Sequence, residues 1–487
     1  MSDPFDDYIE DEIYRDTIAT VDSTGNRIWI YPKKPKGRFY EYRKYVSYAL
    51  LIVLFGLPFI KMNGKPFVLL NVPETEFILF GVYFAPQDFH LFVIAMLIFM
   101  IFIALFTVIF GRLFCGWVCP QTIFMEMVFR RIEYWIEGDA KAQKKLAKAS
   151  WTTDKYVKKI SKQLIFVLIS LFIAHTFLAY IIGLDEVTKI ITEPLGEHWK
   201  GFTAMVIFTG MFYGVFSVMR EQVCTTICPY GRLQGVLLDE NSLAVAYDFK
   251  RGEPRGKLSR GSKNKQTSTP TVEFEGGKVE PIKGDCVDCG LCVKVCPTGI
   301  DIRNGTQLEC VNCTACMDAC DEVMVKINKP EGLIRIDSYI GIVEKKNSLW
   351  NGRVAAYSLV LVALLGLESF LFMNRSSVET LFLRTPGMRY QENSEGYISN
   401  LYNYQLINKT DIEMPITFKC DDIPGIIFET IGAPPKTLKN QVTEGAVFIR
   451  IPKDKIKKRK TDLTIKVYTG DELIDESETT FSGPGKR

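Results

Sequence analysis

The spacing Cys-x-x-Cys-x-x-Cys-x-x-x-Cys occurs twice in succession, at Cys286, Cys289, Cys292 and Cys296 and again at Cys310, Cys313, Cys316 and Cys320, each position repeating 24 residues later. No other feature constrains the fold as strongly. Three thiolates in a short loop converge on one iron–sulfur cubane, while the fourth opens a helix that leads to a neighbouring cubane. The reciprocal arrangement assigns Cys286, Cys289, Cys292 and Cys320 to one 4Fe–4S cluster, and Cys310, Cys313, Cys316 and Cys296 to a second. Pro297 follows the first copy as the pattern expects, whereas Asp321 stands where the second proline would be. Zinc usually takes Cys-x-x-Cys knuckles set far apart, and disulfide frameworks belong to small secreted domains, so both account for this spacing less well.

At 487 residues, 47% of them hydrophobic, the chain has room for several domains and is too apolar for an average soluble protein. The net charge of +3 is near balance and gives no footprint for nucleic acid. Twelve of the 13 cysteines fall between Cys115 and Cys320 in four tight groups, which reads as sets of ligands in a reducing compartment. The N-terminal segment from Met1 to Glu12 is acidic and has no apolar core, so no cleavable signal peptide is expected there.

Five apolar stretches approach the roughly 20 helical residues that cross a bilayer: Tyr45 to Ile60, Phe89 to Phe110, Leu164 to Leu184, Phe202 to Met219 and Val354 to Met373. The first is short and contains Pro58. Seven Lys and Arg residues lie between Arg27 and Lys44 and eleven between Arg112 and Lys162, against two each in the loops 61–88 and 185–201. Positive residues stay inside, so the expected order is a cytoplasmic segment 1–44, four membrane helices within 45–219 joined by a cytoplasmic loop 111–162, a cytoplasmic region 220–353, a fifth helix 354–373 and an outer domain 374–487. Within 220–353, the basic Gly/Ser-rich stretch 250–270 reads as a solvated linker leading to a ferredoxin-like module at about 280–330. Beyond Met373, alternating runs such as Tyr402 to Ile407, Ala446 to Ile451 and Leu463 to Thr469 are broken by Gly, Pro, Asn and Asp, the pattern of a β-sandwich of immunoglobulin type. Cys420 stands alone there and reads as a packing residue. The expected fold class is therefore a multi-domain membrane protein: a helical bundle of about five spans, an inserted two-cluster α+β ferredoxin module and a C-terminal all-β sandwich.

A second repeat is Cys115-Gly-Trp-Val-Cys119-Pro120 and Cys224-Thr-Thr-Ile-Cys228-Pro229, each at the cytoplasmic end of an apolar stretch. Cysteines four apart share a helical face, and Pro120 and Pro229 suit the first turn of a new helix. If the two ends are neighbours, four soft thiolates meet at the membrane surface, a seat for Cu(I), a further cluster or a redox-active dithiol. The alternative is two packing cysteines at each helix end. The following segment, Pro120 to Glu137, reads as an interfacial amphipathic helix with Arg130 and Arg131 at headgroup level. Met125 and Met127 are candidate thioether donors to copper, although methionine more often fills apolar gaps. Of the three histidines, His175 lies inside the third stretch and His90 and His198 near outer ends, so no b-type heme is expected.

Several runs resemble the FixG/CcoG/RdxA family of cytochrome c oxidase accessory proteins: Trp29-Ile-Tyr-Pro32, Cys115 to Thr122, Arg220-Glu-Gln-Val-Cys224 to Pro229-Tyr-Gly-Arg232, Tyr247-Asp248 and Arg251-Gly-Glu-Pro-Arg-Gly256. The resemblance spans nearly the whole chain in order. It implies an inner-membrane protein that serves assembly of cbb3-type cytochrome oxidase, reducing Cu(II) to Cu(I) for the copper centre, with a periplasmic immunoglobulin-like domain. It also implies membrane lipid, oxidase subunits or copper chaperones and a cytoplasmic electron donor as partners. The eight ferredoxin cysteines would be cluster ligands, and Cys115, Cys119, Cys224 and Cys228 the redox or copper thiols. Two rival readings are a quinol-oxidising membrane ferredoxin feeding another reductase and a non-catalytic assembly scaffold. The oligomeric state stays open, a homodimer included.

Overall fold

The computed structural model describes residues 20–257 and 284–484, apart from 22–23, 25, 63, 73–75, 85–87, 195, 347–349, 377, 386–389, 394–395, 411, 433, 439–441 and 457. The chain forms two compact units. The first comprises Met1–Gly56, Leu97–Leu178 and Val187–Ala363, the second Leu57–Met96, Ala179–Glu186 and Leu364–Arg487.

Among the described residues, four helices are long and apolar enough to cross a membrane: Phe89–Phe110 (α2), Thr153–Ile182 (α3), Trp199–Met219 and Gly352–Met373 (α5). The third of these starts as an α-helix, Trp199–Tyr213 (α4), and continues as a π-helical segment, Gly214–Met219. The expected first crossing lies in Arg38–Gly56 (α1), whose opening turns carry Arg38, Glu41, Arg43 and Lys44. Those charges leave too short an apolar run for α1 to join the other four, although its far end packs inside the first unit, Phe55 lying 6.0 Å from Phe124 and 4.7 Å from Phe172 between ring centres.

The core of the membrane part of the first unit is made by Phe124, Met125, Phe129, Phe166, Ile173 and Phe216. Two π-helical segments meet there, Phe124–Phe129 and Gly214–Met219, and the rings of Phe129 and Phe216 stack at 4.8 Å. Such widened turns are rare and gather at functional sites. Met125 thus fills an apolar core, and Met127 is equally buried at 3% exposure.

The expected headgroup position of Arg130 is overturned. Its side chain is 1% exposed and pairs with Glu126 at 2.5 Å and Glu221 at 3.4 Å. Glu221 also takes Arg27 at 2.9 Å, Glu133 takes Arg220 and Lys162, and Glu137 takes Lys159 and Lys162. A guanidinium leaves water only when carboxylates replace its hydration, and the turn-spaced Glu126 together with Glu221 does so here. Arg131 instead donates to the Tyr48 hydroxyl near the surface.

The ferredoxin module belongs to the same unit. Asp318, between two of its cysteines, accepts from the backbone N–H groups of Phe39 (3.1 Å) and Tyr40 (2.8 Å) and so caps α1. Gly37 makes this approach possible, since a Cβ there would lie 2.3 Å from Asp318 Cγ. The stretch 250–270 is not a free linker at its start: Phe249–Gly252 forms a helical turn, and Arg251 Nε donates to Asp285 at 2.6 Å. From residue 258 onward that stretch lies outside the described residues.

The second unit holds the β-sandwich. One antiparallel sheet runs in the order Ile427–Ile431, Val442–Pro452, Tyr397–Asn408, Val378–Arg384, and the other Thr417–Lys419, Lys460–Thr469, Glu472–Ser482. Alternate residues turn inward, Ile398, Tyr402, Tyr404 and Leu406 from one sheet meeting Leu463, Ile465 and Val467 from the other, and Cys420 packs against this core. The three alternating runs expected from the sequence all fall in these strands. Residues 61–88, read only as a loop, contain a two-stranded pair, Lys61–Met62 with Lys65–Pro66, and a three-stranded sheet, Val68–Asn71, Glu76–Leu79 and Val82–Phe84, whose Leu69, Ile78 and Tyr83 pack on Ile407. Asp88 fixes this unit further by pairing with Arg375 and Lys409, each at 2.6 Å.

Candidate iron–sulfur and thiol site

Each cysteine loop of the module folds through two residues of left-handed backbone, Asp288 (φ 49°) and Gly290 (φ 64°) in the first, Asn312 (φ 51°) and Thr314 (φ 63°) in the second. The spacing of 24 residues seen in the cysteines therefore recurs in the backbone. The turns curl each loop so that its thiols face a common space, and short helices, Leu291–Val295 and Ala315–Lys326, begin where each loop ends. Gly, Asn and Asp tolerate the left-handed region, whereas branched Thr314 is strained there.

Two cavities result. Cys286, Cys289, Cys292 and Cys320 line one, together with Gly290, Arg303, Met324 and Leu333. Cys296, Cys310, Cys313 and Cys316 line the other, with Val245, Ile300, Ile302 and Val311, and Cys292 stands in the wall of both. None of these thiols is in a disulfide. Burial pushes the Cys292 and Cys313 thiols up to about 11 and those of Cys310 and Cys320 up to about 12. Thiols held in such walls ionise when a metal centre offers them positive charge. The donor set, four sulfurs to each apolar cavity, fits iron–sulfur cubanes. Asp321 has a reason of its own: the helix from Ala315 continues through it to Lys326, and its Oδ1 accepts from the Gly332 N–H at 2.8 Å. Proline suits position 297, where the first helix has ended, and would break the second.

The Cys-Pro motifs are local copies of one another. Cys119 and Cys228 have the same extended backbone (ψ 123° and 111°) and precede helices opened by Pro120 and Pro229. Cys115 lies in the helical turn Leu113–Trp117 and Cys224 in the π-helical turn Val223–Ile227. The structure brings the pairs together: Cys115 and Cys224 belong to one packed cluster with Val311, Cys313 and Cys316. Gly231 closes the arrangement, because a Cβ there would lie 2.8 Å from the Cys224 carbonyl oxygen and 2.9 Å from Arg112 Nη2. Burial pushes the Cys115 thiol up to about 11 and the Cys224 thiol up to about 12.

Gly116 joins this site to the module. A Cβ at this position would fall 2.5 Å from the Val311 carbonyl oxygen and 2.8 Å from that of Asn312, so the turn carrying Cys115 lies flat on the loop between Cys310 and Cys313. Arg43 Nε donates to the Gly116 carbonyl at 2.6 Å. Arg112 Nε donates to Gln234 Oε1 at 3.2 Å, and the Cys115 thiol donates to the same oxygen at 3.0 Å. Sequence reasoning counted Arg43 and Arg112 only as loop charges and passed over Gln234. Nothing in their spacing marks them, since each acts through tertiary neighbours. His175 bonds the Leu171 carbonyl of its own helix at 2.7 Å, and His198 bonds Glu193.

Comparison with known proteins matches three regions of the chain. Residues 219–339 match a 4Fe–4S dicluster domain, residues 92–142 a 4Fe–4S binding domain, and residues 369–484 the Ig-like fold at the C-terminus of FixG. The chain is 30% identical over 477 residues to the nitrogen fixation protein FixG of Rhizobium meliloti (strain 1021), covering 87% of this chain and 86% of that one. It is 32% identical over 420 residues to protein RdxB of Cereibacter sphaeroides, covering 80% and 82%, and 34% identical over 311 residues to RdxA of the same organism, covering 63% and 61%.

Proposed function

Because the chain belongs to the FixG family, as a membrane iron–sulfur protein of electron transfer, we propose that it reduces Cu(II) to Cu(I) during assembly of a cbb3-type cytochrome oxidase. In this reading Cys286, Cys289, Cys292 and Cys320 hold one 4Fe–4S cluster and Cys310, Cys313, Cys316 and Cys296 another, supplying one-electron redox chemistry when bound. The protein's own contribution is to seat them in apolar walls and to fix their distance to the Cys-Pro thiols.

One observation carries the proposal: Gly116 lies directly on the backbone of Val311 and Asn312, so Cys115 packs in the same cluster as Cys313 and Cys316. An electron arriving at the module from a cytoplasmic donor has an exit at the thiols of Cys115, Cys119, Cys224 and Cys228, which hold copper or a further cluster. Soft thiolates favour Cu(I) over Cu(II), which draws the reduction forward. The buried cations Arg43 and Arg112, at 2% and 3% exposure, offset negative charge at this junction.

The topology that serves this function places the N-terminus and module in the cytoplasm of a bacterial inner membrane and the sandwich in the periplasm, where it meets oxidase subunits or copper chaperones. To test the function, Cys115 and Cys224 are replaced by serine and Cu(II) reduction is followed in anaerobically purified protein with intact module clusters. Loss of reduction is expected; an unchanged rate removes these thiols from the pathway.

A further inference from the structure

The two cysteine loops are local copies, so positions 24 residues apart can be compared directly. In the second loop Asn312, Cys313 and Thr314 are 3%, 9% and 1% exposed, and the turn carrying Cys115 lies on the backbone of Val311 and Asn312. In the first loop the equivalent Asp288 and Cys289 are exposed, and a Cβ on Gly290 would meet nothing within 4 Å. Of the eight module cysteines, Cys289 alone is exposed. One loop is thus covered by the turn of a Cys-Pro motif, while its copy leaves the same corner open.

Charge says what fits the open corner. The Lys294 N–H donates to the Gly290 carbonyl at 3.2 Å and the Lys33 N–H to the Lys294 carbonyl at 2.7 Å, so the N-terminal segment brings Lys33 and Lys36 up to this loop. The helix from Ala315 bears Cys320 of the same set and, two residues on, Glu322. A hydrogen bond from Lys326 and the charges of Lys33 and Lys36 hold the Glu322 carboxyl below its ordinary value. Asp288 at the corner is taken by Arg303 at 2.6 Å. Lys33, Lys36 and Lys294 are exposed and join no ion pair among the described residues. Cations in excess around an exposed ligand draw a partner of opposite charge and speed its encounter.

We infer that electrons enter the module at the Cys289 corner, from an acidic one-electron carrier protein that docks on Lys33, Lys36 and Lys294. The carrier gives up one electron and leaves oxidised by one, with no bond or proton changing hands. The covered loop then lies on the way out to Cys115, Cys292 standing in the wall that the two cavities share. This deepens the electron-transfer reading of the module and rests on it, not on copper as the acceptor.

A strongly acidic plant-type ferredoxin serves as the probe. Full-length protein purified without oxygen is set in nanodiscs of neutral phosphatidylcholine, and association is timed at low and high salt. A carbodiimide couples the probe's carboxylates to nearby lysines, which mass spectrometry maps. Couplings are expected at Lys33, Lys36 and Lys294, and the combined Lys33→Glu, Lys36→Glu and Lys294→Glu variant should associate at least about tenfold more slowly at low salt, with iron per chain unchanged. The same reversal of Lys141, Lys144 and Lys145, on the helix Ala140–Lys148, should change the rate far less. No salt-dependent association, couplings confined to other lysines, or equal slowing by the second set would each overturn the inference. So would loss of binding to phosphatidylglycerol vesicles with the probe's rate unchanged, which would make these lysines a lipid contact. Should the first variant lose iron through misfolding, the wild-type coupling map still decides. Copper takes no part in these measurements, so failure here leaves the Cys115 and Cys224 test standing, and failure there leaves the entry face standing.

Discussion

The eight cysteines between Cys286 and Cys320 are gathered by one short stretch of chain, while Cys115 with Cys119 and Cys224 with Cys228 arrive from separate ends of the membrane region. In the module, paired left-handed residues curl each loop and the thiols converge almost by local geometry alone. In the Cys-Pro pair, convergence needs a tertiary scaffold: π turns that let Phe129 meet Phe216, a buried ion network, and two glycines where backbones touch. The first kind of site tolerates change in its surroundings, and the second inherits every disturbance around it.

The sharpest way to break that contrast is Arg130→Ala. It leaves Glu126 buried without its cation and Glu221 with Arg27 alone, and should cost about 3–5 kcal/mol. Thermal unfolding of the detergent-solubilised protein measures it, and an unchanged midpoint would mean that the network does not hold the Cys-Pro region. In the module, Asp321→Pro inserts a helix-breaking residue between Ala315 and Lys326 and removes the bond to Gly332, for about 3 kcal/mol, read as earlier bleaching of cluster absorbance in denaturant. Tolerance of proline there would show that the helix need not continue past Cys320.

Gly116→Ala acts between the two regions. A methyl forced against Val311 and Asn312 should cost about 1–3 kcal/mol and slow copper reduction, with the module's iron retained. Equal loss of iron and of reduction would place its effect on the module itself.

The smallest effect concerns pH. Burial would raise the Glu133 carboxyl, but the charges of Arg220, Lys162 and Arg130 hold it below its ordinary value of 4.5. A lowered carboxylate contributes stability that is complete above its unfolded value and is lost as pH falls through the folded one. Unfolding free energies of wild type and Glu133→Gln should therefore differ by a constant amount above about pH 5 and converge as the medium is acidified below about pH 4. A gap that does not change with pH would remove Glu133 from the network's charge balance.

Much of this was legible in residue order. The cysteine spacing announced two reciprocal sets, and the structure lines two cavities with those sets. Helix α2 begins and ends where the apolar run Phe89 to Phe110 does, because its twenty-two residues contain no Asp, Glu, Lys or Arg, and all but His90 and Thr107 are apolar. Arg130 was misjudged for an equally physical reason. A basic residue beside an apolar helix usually seeks headgroups, and only the fold reveals that Glu221, from a distant segment, waits to pair with it.

Sequence alone settled what depends on near neighbours along the chain: the thiol loops, the apolar spans, the alternation of the sandwich strands and the helices opened by Pro120 and Pro229. Tertiary structure decided what depends on encounters between distant segments, namely the seat of Gly116 on Val311, the caging of Arg130, and the meeting of Cys115 with Cys224. The division has a simple cause: local backbone preference is written residue by residue, whereas packing and charge pairing are properties of surfaces that exist only once the chain has folded.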